Sequence, residues 1–295
     1  MTRTRAALSI LAVIAALTFV ASLDAQVPVR RGVRVNRDVG MKISVPAGSL
    51  RLIAWERDSL HVEGTIGKGS QLYFGGAGSG AKFGVEEPLD GRVAAPAQLT
   101  AWVPRGANVS VRTISASIEA SDVAGWFTTV SGNIRVSGTA SDVQCEAIDG
   151  SIDINVVAPH VRARTGGGTV TVGGRIDDLV ASTVSGALTI TAMGLERGRF
   201  ESVTGPILID APLGRAASID VDNHNGPVEL RVPPSIAADF DLTSVAGTIT
   251  NLFDKRAPGT GRQGRGQELM ITTDPKGARI VVRTFKGGIV LRTQR

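Results

Sequence analysis

The sequence predicts an all-β protein: a parallel β-solenoid with rungs of about 18–21 residues, preceded by an irregular β capping region. Three observations carry that prediction. A glycine-centred phrase recurs: VSGNIRV from Val130, IDGSIDI from Ile148, GGGTVTV from Gly166, VSGALTI from Val184, VTGPILI from Val203, HNGPVEL from His224, VAGTITN from Val245 and FKGGIVL from Phe285. Its glycines are Gly132, Gly150, Gly168, Gly186, Gly205, Gly226, Gly247 and Gly287, spaced by 18, 18, 18, 19, 21, 21 and 40 residues. Apolar residues alternate with period two on both sides of each glycine, the signature of strands with one buried face. The composition agrees: 36 glycines in 295 residues with 4 % aromatics suits small aliphatic strands joined by tight turns. The glycines do not fall every third residue, which excludes collagen.

The elements follow in chain order. Arg3 and Arg5 precede an apolar run from Leu8 to Val20, and small residues follow at Ala21, Ser22 and Ala25. That layout is a secretory signal peptide over residues 1–25, cleaved after Ala25 or Ser22. The apolar run is too short for a comfortable membrane span, and no later stretch reaches 18 apolar residues. The expectation is an exported chain, periplasmic, cell-surface or extracellular, without an integral span in its mature form. Export argues against functions that need ATP, NAD or genomic DNA. The mature chain carries a mild excess of basic residues, 30 against 26 acidic.

Residues 26–105 form the capping region, continuous with the solenoid. LRLIAW from Leu50 and LTAWVP from Leu99 read as strands, and Gly75, Gly76, Gly78 and Gly80 as a flexible loop between strands. A solenoid end left uncapped would expose a sheet edge. Residues 106–295 carry the repeats, beginning with ISASIEA from Ile114, where Ala116 takes the glycine position. Two and four residues after each glycine stand aliphatic columns such as Ile134, Ile152, Val170 and Leu188. Five and three residues before it stand Phe127, Cys145, Ala163 and Ala181, and Thr129, Ala147, Thr165 and Thr183. Each unit is therefore strand, glycine corner, strand and return, with positive φ the natural reason for glycine at the corner. One unit cannot bury its apolar face alone, whereas stacked units can. Antiparallel sandwich hairpins would not need like residues in like columns. Hexapeptide acyltransferases have 18-residue rungs, but their apolar residue recurs every six positions, a pattern absent here. The long interval before Gly287 holds a Gly/Arg-rich insertion at about 252–267, with Lys255, Arg256, Arg262 and Arg265, and then a strand-like ELMITTD from Glu268.

These residues resemble a known family. WERDSLHV, from Trp55 to Val62, matches an early W-x-x-D-x-x-x-V phrase, and AWVPRGANVSV from Ala101 matches a V-P strand leading into T-x-S-G-x-I-x-V rungs. The chain is similar over almost its whole mature length to the bacterial envelope family called putative adhesins, the toast-rack β-solenoids. The resemblance implies a non-enzymatic envelope interaction, adhesion or scaffold module, and supplies no catalytic motif.

Candidate chemistry is sparse. One cysteine, Cys145, excludes an internal disulfide framework and cysteine-built metal sites, and it alternates with core positions. His61, His160 and His224 occupy different repeat positions. No cofactor or metal is implied, and nucleic acid is not an expected partner; an envelope protein or surface polysaccharide is. One surface patch stands out. The outward positions four and six before each glycine give Arg199 and Glu201, then Asp220 and Asp222, then Asp241 and Thr243. These rungs are successive in the repeat, so Glu201, Asp220, Asp222 and Asp241 cluster on one face. The alternative function is thus a polysaccharide-active β-helix enzyme using these carboxylates, or a Ca²⁺ site among them. Against the enzyme, Trp55, Trp102 and Trp126 are distant in sequence from that patch. Oligomeric state is left open by the sequence.

Overall fold

The computed structural model describes residues 26–88, 95–261 and 264–294. The signal peptide expected at 1–25 and Arg262 lie outside them. Among the described residues there are twenty-five strands and no helix. The repeats stack as parallel rungs. Ile118, Ile134, Ile152, Val170, Leu188, Ile207 and Val228 are register partners in turn along one sheet. Val109, Gly125, Val143, Val161, Leu179, Gly198 and Ile219 are partners in the same way before the corners. The period-two alternation puts these columns inside, and nearly every member is below 3 % exposed. The protein is a parallel β-solenoid.

In four of the rungs the interior is filled by compensation between two columns. Where Phe127 and Phe200 fill the interior, the residue two places earlier is Gly125 or Gly198. Where Ala163 or Ala181 stands at the phenylalanine position, its companion is Val161 or Leu179. A Cβ on Gly198 would lie 2.8 Å from the Phe200 ring, so the pair cannot both be large. Close-packed interiors tolerate such volume-conserving exchange and little else.

At the corners, the reason for glycine is close approach and not the positive φ the sequence suggests. None of the eight repeat glycines has a positive φ; Gly48 in the capping region does, at 112°. A Cβ on Gly150 would lie 1.8 Å from the Gly132 carbonyl oxygen, and one on Gly186 would lie 1.7 Å from that of Gly168. At several corners a buried polar residue three places earlier completes the turn. Thr183 Oγ1 accepts from Gly186 N at 3.1 Å, and Asn223 Oδ1 from Gly226 N at 2.9 Å. Thr165 Oγ1 donates to the Gly150 carbonyl of the preceding rung at 2.8 Å, and Asn223 Nδ2 to that of Gly205 at 2.9 Å. The side chain thus satisfies polar groups that the turn removes from the sheet ladder.

Spatial order departs from sequence order at both ends. The first rung of the chain, Gly40–Val45 with Gly48–Trp55, lies between the later strands Gly80–Glu86 with Ala97–Pro104 on one side and Asn108–Thr113 with Ser117–Ser121 on the other. The last rung, Ala278–Thr284 with Ile289–Thr293, is inserted between Ser218–Asn223 with Val228–Val232 and Ala238–Ser244 with Ile249–Leu252. The order of corner glycines in space is therefore Gly226, Gly287, Gly247. Antiparallel strands close the stack. Gln71–Ala77 pairs with Gly80–Glu86, and Ser59–Gly67 lies between Ala97–Pro104 and Gln26–Arg34. At the other end, Gln267–Thr272 covers Ala238–Ser244. A reversed strand does not present the repeat's own edge to a further parallel rung, which limits edge-to-edge growth. Gly75 and Gly76 lie within a strand of a hairpin that turns at Gly78 and Ser79, not in a loop.

Candidate functional site

The inserted rung rearranges the acidic face. Glu201 is the register partner of Asp222, and Arg199 of Asp220, so three carboxylates do sit on adjacent strands. Asp241 does not join them: Val281 stands between Asp220 and Asp241, and Arg283 between Asp222 and Thr243. The rungs read from the sequence as successive are separated because a strand from the chain's end enters between them. Cations thread the patch. Arg199 Nε donates to Glu201 Oε1 at 2.6 Å, and Arg283 Nη1 to Asp220 Oδ1 at 3.3 Å. Asp222 is half-buried, and its pKa is pushed up by desolvation and then by the Asp220 charge. Among the described residues, no three His, Cys, Asp or Glu side chains are grouped so as to hold a metal ion.

A groove of about 590 Å³ runs from this patch onto the adjoining corner, lined by Ser182, Glu201 and Asp222 on one side and Val203, His224 and Phe285 on the other. The His224 and Phe285 rings stack at 5.0 Å, 8° from parallel, a pairing that exists only because the last rung is inserted. The groove is part of a longer feature. The residue two places before each corner glycine, or before Ala116 in the first repeat, points outward, and most are exposed apolar residues: Ile114, Val130, Ile148, Val184 and Val203, then Phe285 and Val245, each 41–60 % exposed. Gly166 interrupts the row and His224 continues it. The row is continuous, because each following backbone N–H donates to the carbonyl of the row member on the preceding rung. Asp149 N bonds Val130 O at 2.8 Å, Thr204 N bonds Val184 O at 2.8 Å, and Lys286 N bonds His224 O at 2.8 Å. Single exposed aliphatics are ordinary, but a contiguous exposed apolar strip marks an interaction surface. The repeat phrase contains these residues, yet nothing local distinguishes an outward valine from an inward one at a corner.

A second cluster unites residues far apart in sequence. His61 pairs with Trp102 across antiparallel strands, and the rings of Trp55, His61 and Trp102 lie 5.5–6.4 Å apart. The Arg57 guanidinium stands 5.1 Å from the Trp55 ring centroid, and Trp55 Nε1 donates to Ser59 O. This cluster lies on the capping end, away from the acidic patch, while Trp126 stands exposed elsewhere on the stack. His160 approaches Asp178 at 3.9 Å. Cys145 is fully buried, and burial pushes its thiol pKa up, which keeps it protonated and unreactive.

No family model matches the chain, and no curated protein matches it. Among solved structures, the chain is similar to a putative cell adhesion protein from Clostridium sporogenes ATCC 15579, at 9 % identity over 91 % of this chain and 100 % of that one, with a TM-score of 0.23. It is also similar to a putative adhesin from Bacteroides fragilis NCTC 9343, at 11 % identity over 90 % of this chain and 97 % of that one, with a TM-score of 0.44.

Proposed function

We propose that the protein is an exported, non-enzymatic scaffold that binds through a surface laid along its solenoid. The observation that supports this reading is the exposed apolar row from Ile114 to Val245, repeated rung after rung on a rigid stack. A stack of this kind presents a long surface of fixed shape, and ordering it on binding costs little further entropy. The N-terminal basic and apolar pattern supports export, and no helix among the described residues is long and apolar enough to cross a membrane. Mass spectrometry of the mature chain should find an N-terminus at Gln26 or Leu23. Binding of the purified chain to envelope material should fall sharply in a Val184→Glu, Val203→Glu variant that keeps its thermal midpoint. Equal binding by both proteins would sink this reading. The enzymatic alternative draws on Asp222, whose raised pKa suits a general acid. It requires release of reducing sugar from an acidic polysaccharide, lost in Asp222→Asn.

A further inference from the structure

We infer that the exposed corner row is the contact face for a second copy of this chain, packed antiparallel about a two-fold axis. The inference rests on the reading of that row as a binding surface and names its occupant. Charge carries it. The row is flanked by two outward columns, one two residues before it along the chain and one immediately after. In a two-fold antiparallel pairing each flanking column faces itself in reverse order.

In spatial order the first column reads Arg112, Thr128, Glu146, Arg164, Ser182, Glu201, Asp222, Arg283, Thr243. With the axis between the rungs of Val184 and Val203, Glu146 faces Arg283 and Arg164 faces Asp222. Thr128 then faces Thr243, and Ser182 faces Glu201. The second column holds two charged residues within this span, Asp149 and Lys286, and the same register sets them opposite each other. Two independent columns therefore select one alignment. Moving the axis by half a rung in one direction sets Glu146 against Asp222; moving it in the other sets Arg164 against Arg283. Both neighbouring registers place like charges together, which disfavours them.

Shape agrees. In the selected register Gly166, the notch in the row, receives His224, and Ile148 meets Phe285. The row spans roughly 40 Å at one rung per ~4.8 Å. Three outward columns, about 15 Å wide, make that roughly 600 Å² per copy, the lower part of the range for specific interfaces.

Sedimentation equilibrium of the mature chain, from about 1 to about 200 µM, covers the range in which an interface of this size dissociates. The expected result is a monomer–dimer equilibrium that weakens with salt. Arg164→Glu and Asp222→Arg should each weaken the dimer about tenfold or more, and the double exchange should restore it. Thermal midpoints at high dilution show that each variant is folded. The register is tested by Ile148→Cys with Phe285→Cys: five rung steps, roughly 24 Å, prevent a bridge within one chain, so oxidation should yield a closed covalent dimer. A chain that stays monomeric throughout overturns the inference, as does a double exchange no tighter than the single variants or oxidation into open chains of many copies. If the chain is monomeric but Val184→Glu, Val203→Glu still abolishes envelope binding, the surface reading survives with another occupant. If neither association nor envelope binding responds, both fail.

Discussion

At the scale of single residues, contact geometry decides which positions of the repeat are replaceable. Gly150→Ala would drive a methyl group into the Gly132 carbonyl. The obstacle is backbone that cannot swing aside, so overpacking should cost about 1–3 kcal/mol or more. Gly75→Ala meets nothing within 4 Å and should stay within about 0.5 kcal/mol of the parent. Urea unfolding of the two variants makes the comparison, and equal losses would refute the corner argument. Ala147 is the one corner between Gly132 and Gly287 that lacks a polar side chain three places before the glycine. Ala147→Thr supplies a hydroxyl of the kind Thr165 and Thr183 provide, and should raise stability by about 0.5–1.5 kcal/mol in the same assay.

Asp222 links residue chemistry to pH. Burial and the Asp220 charge raise its folded-state pKa, against the opposing pull of Arg283 and Arg199, with Glu201 adding to the rise. An acid with a raised folded pKa favours folding when protonated. Its stabilising effect is full below the ordinary carboxylate range and is lost as pH rises through the raised value. Asp222→Asn should therefore raise the thermal midpoint at neutral pH, with the difference from the parent closing on acidification. The measurement belongs at high dilution, where chains are single. A difference that grows toward low pH would contradict the environment described for this group.

At the scale of elements, two buried columns exchange volume in four of the rungs, glycine beside phenylalanine and valine or leucine beside alanine. Phe200 is fully buried above Gly198 and beside Ile219. Phe200→Ala should cost about 3–5 kcal/mol, since alanine beside glycine leaves a cavity that neighbouring rungs are too regular to fill. Differential scanning calorimetry reads the loss. A change below about 1 kcal/mol would mean that the rungs relax far more than a close-packed interior allows.

At the scale of the whole molecule, the inserted last rung makes the C-terminus part of the interior of the stack. In an ordinary solenoid, removing the terminal rung shortens the array and leaves the remainder standing. Here, ending the chain at Gly277 would remove the strands that join Ser218–Asn223 to Ala238–Ser244. It would strand the latter with its cap, Gln267–Thr272. The truncated protein should lose hydrogen-exchange protection across residues 238–272 while the rungs from Ile118 to Val228 keep theirs. Full protection across 238–272 would show that the two flanking rungs can close on each other directly.

The periodicity that makes one face of each strand apolar is local, and so the rungs, their faces and their corner glycines were legible in the chain. Ile134, Ile152 and Val170 point inward because two residues separate each from the next inward position, whatever the neighbouring rung is. The order of the last rungs was not legible. At the edge by Val228, Ile249 and Ile289 both continue the aliphatic row, and the local difference is a single position, Asn251 against Leu291 in the column of Leu230. Sequence adjacency favours the first and the folded structure uses the second. That choice separates Asp241 from Asp220, stacks Phe285 on His224 and sets Arg283 beside Asp222. It is made by contacts between residues some sixty positions apart, beyond the reach of any local pattern. The alternation within a strand thus belonged to the sequence alone, while the composition of the surface that the strands share was decided only when they were placed side by side.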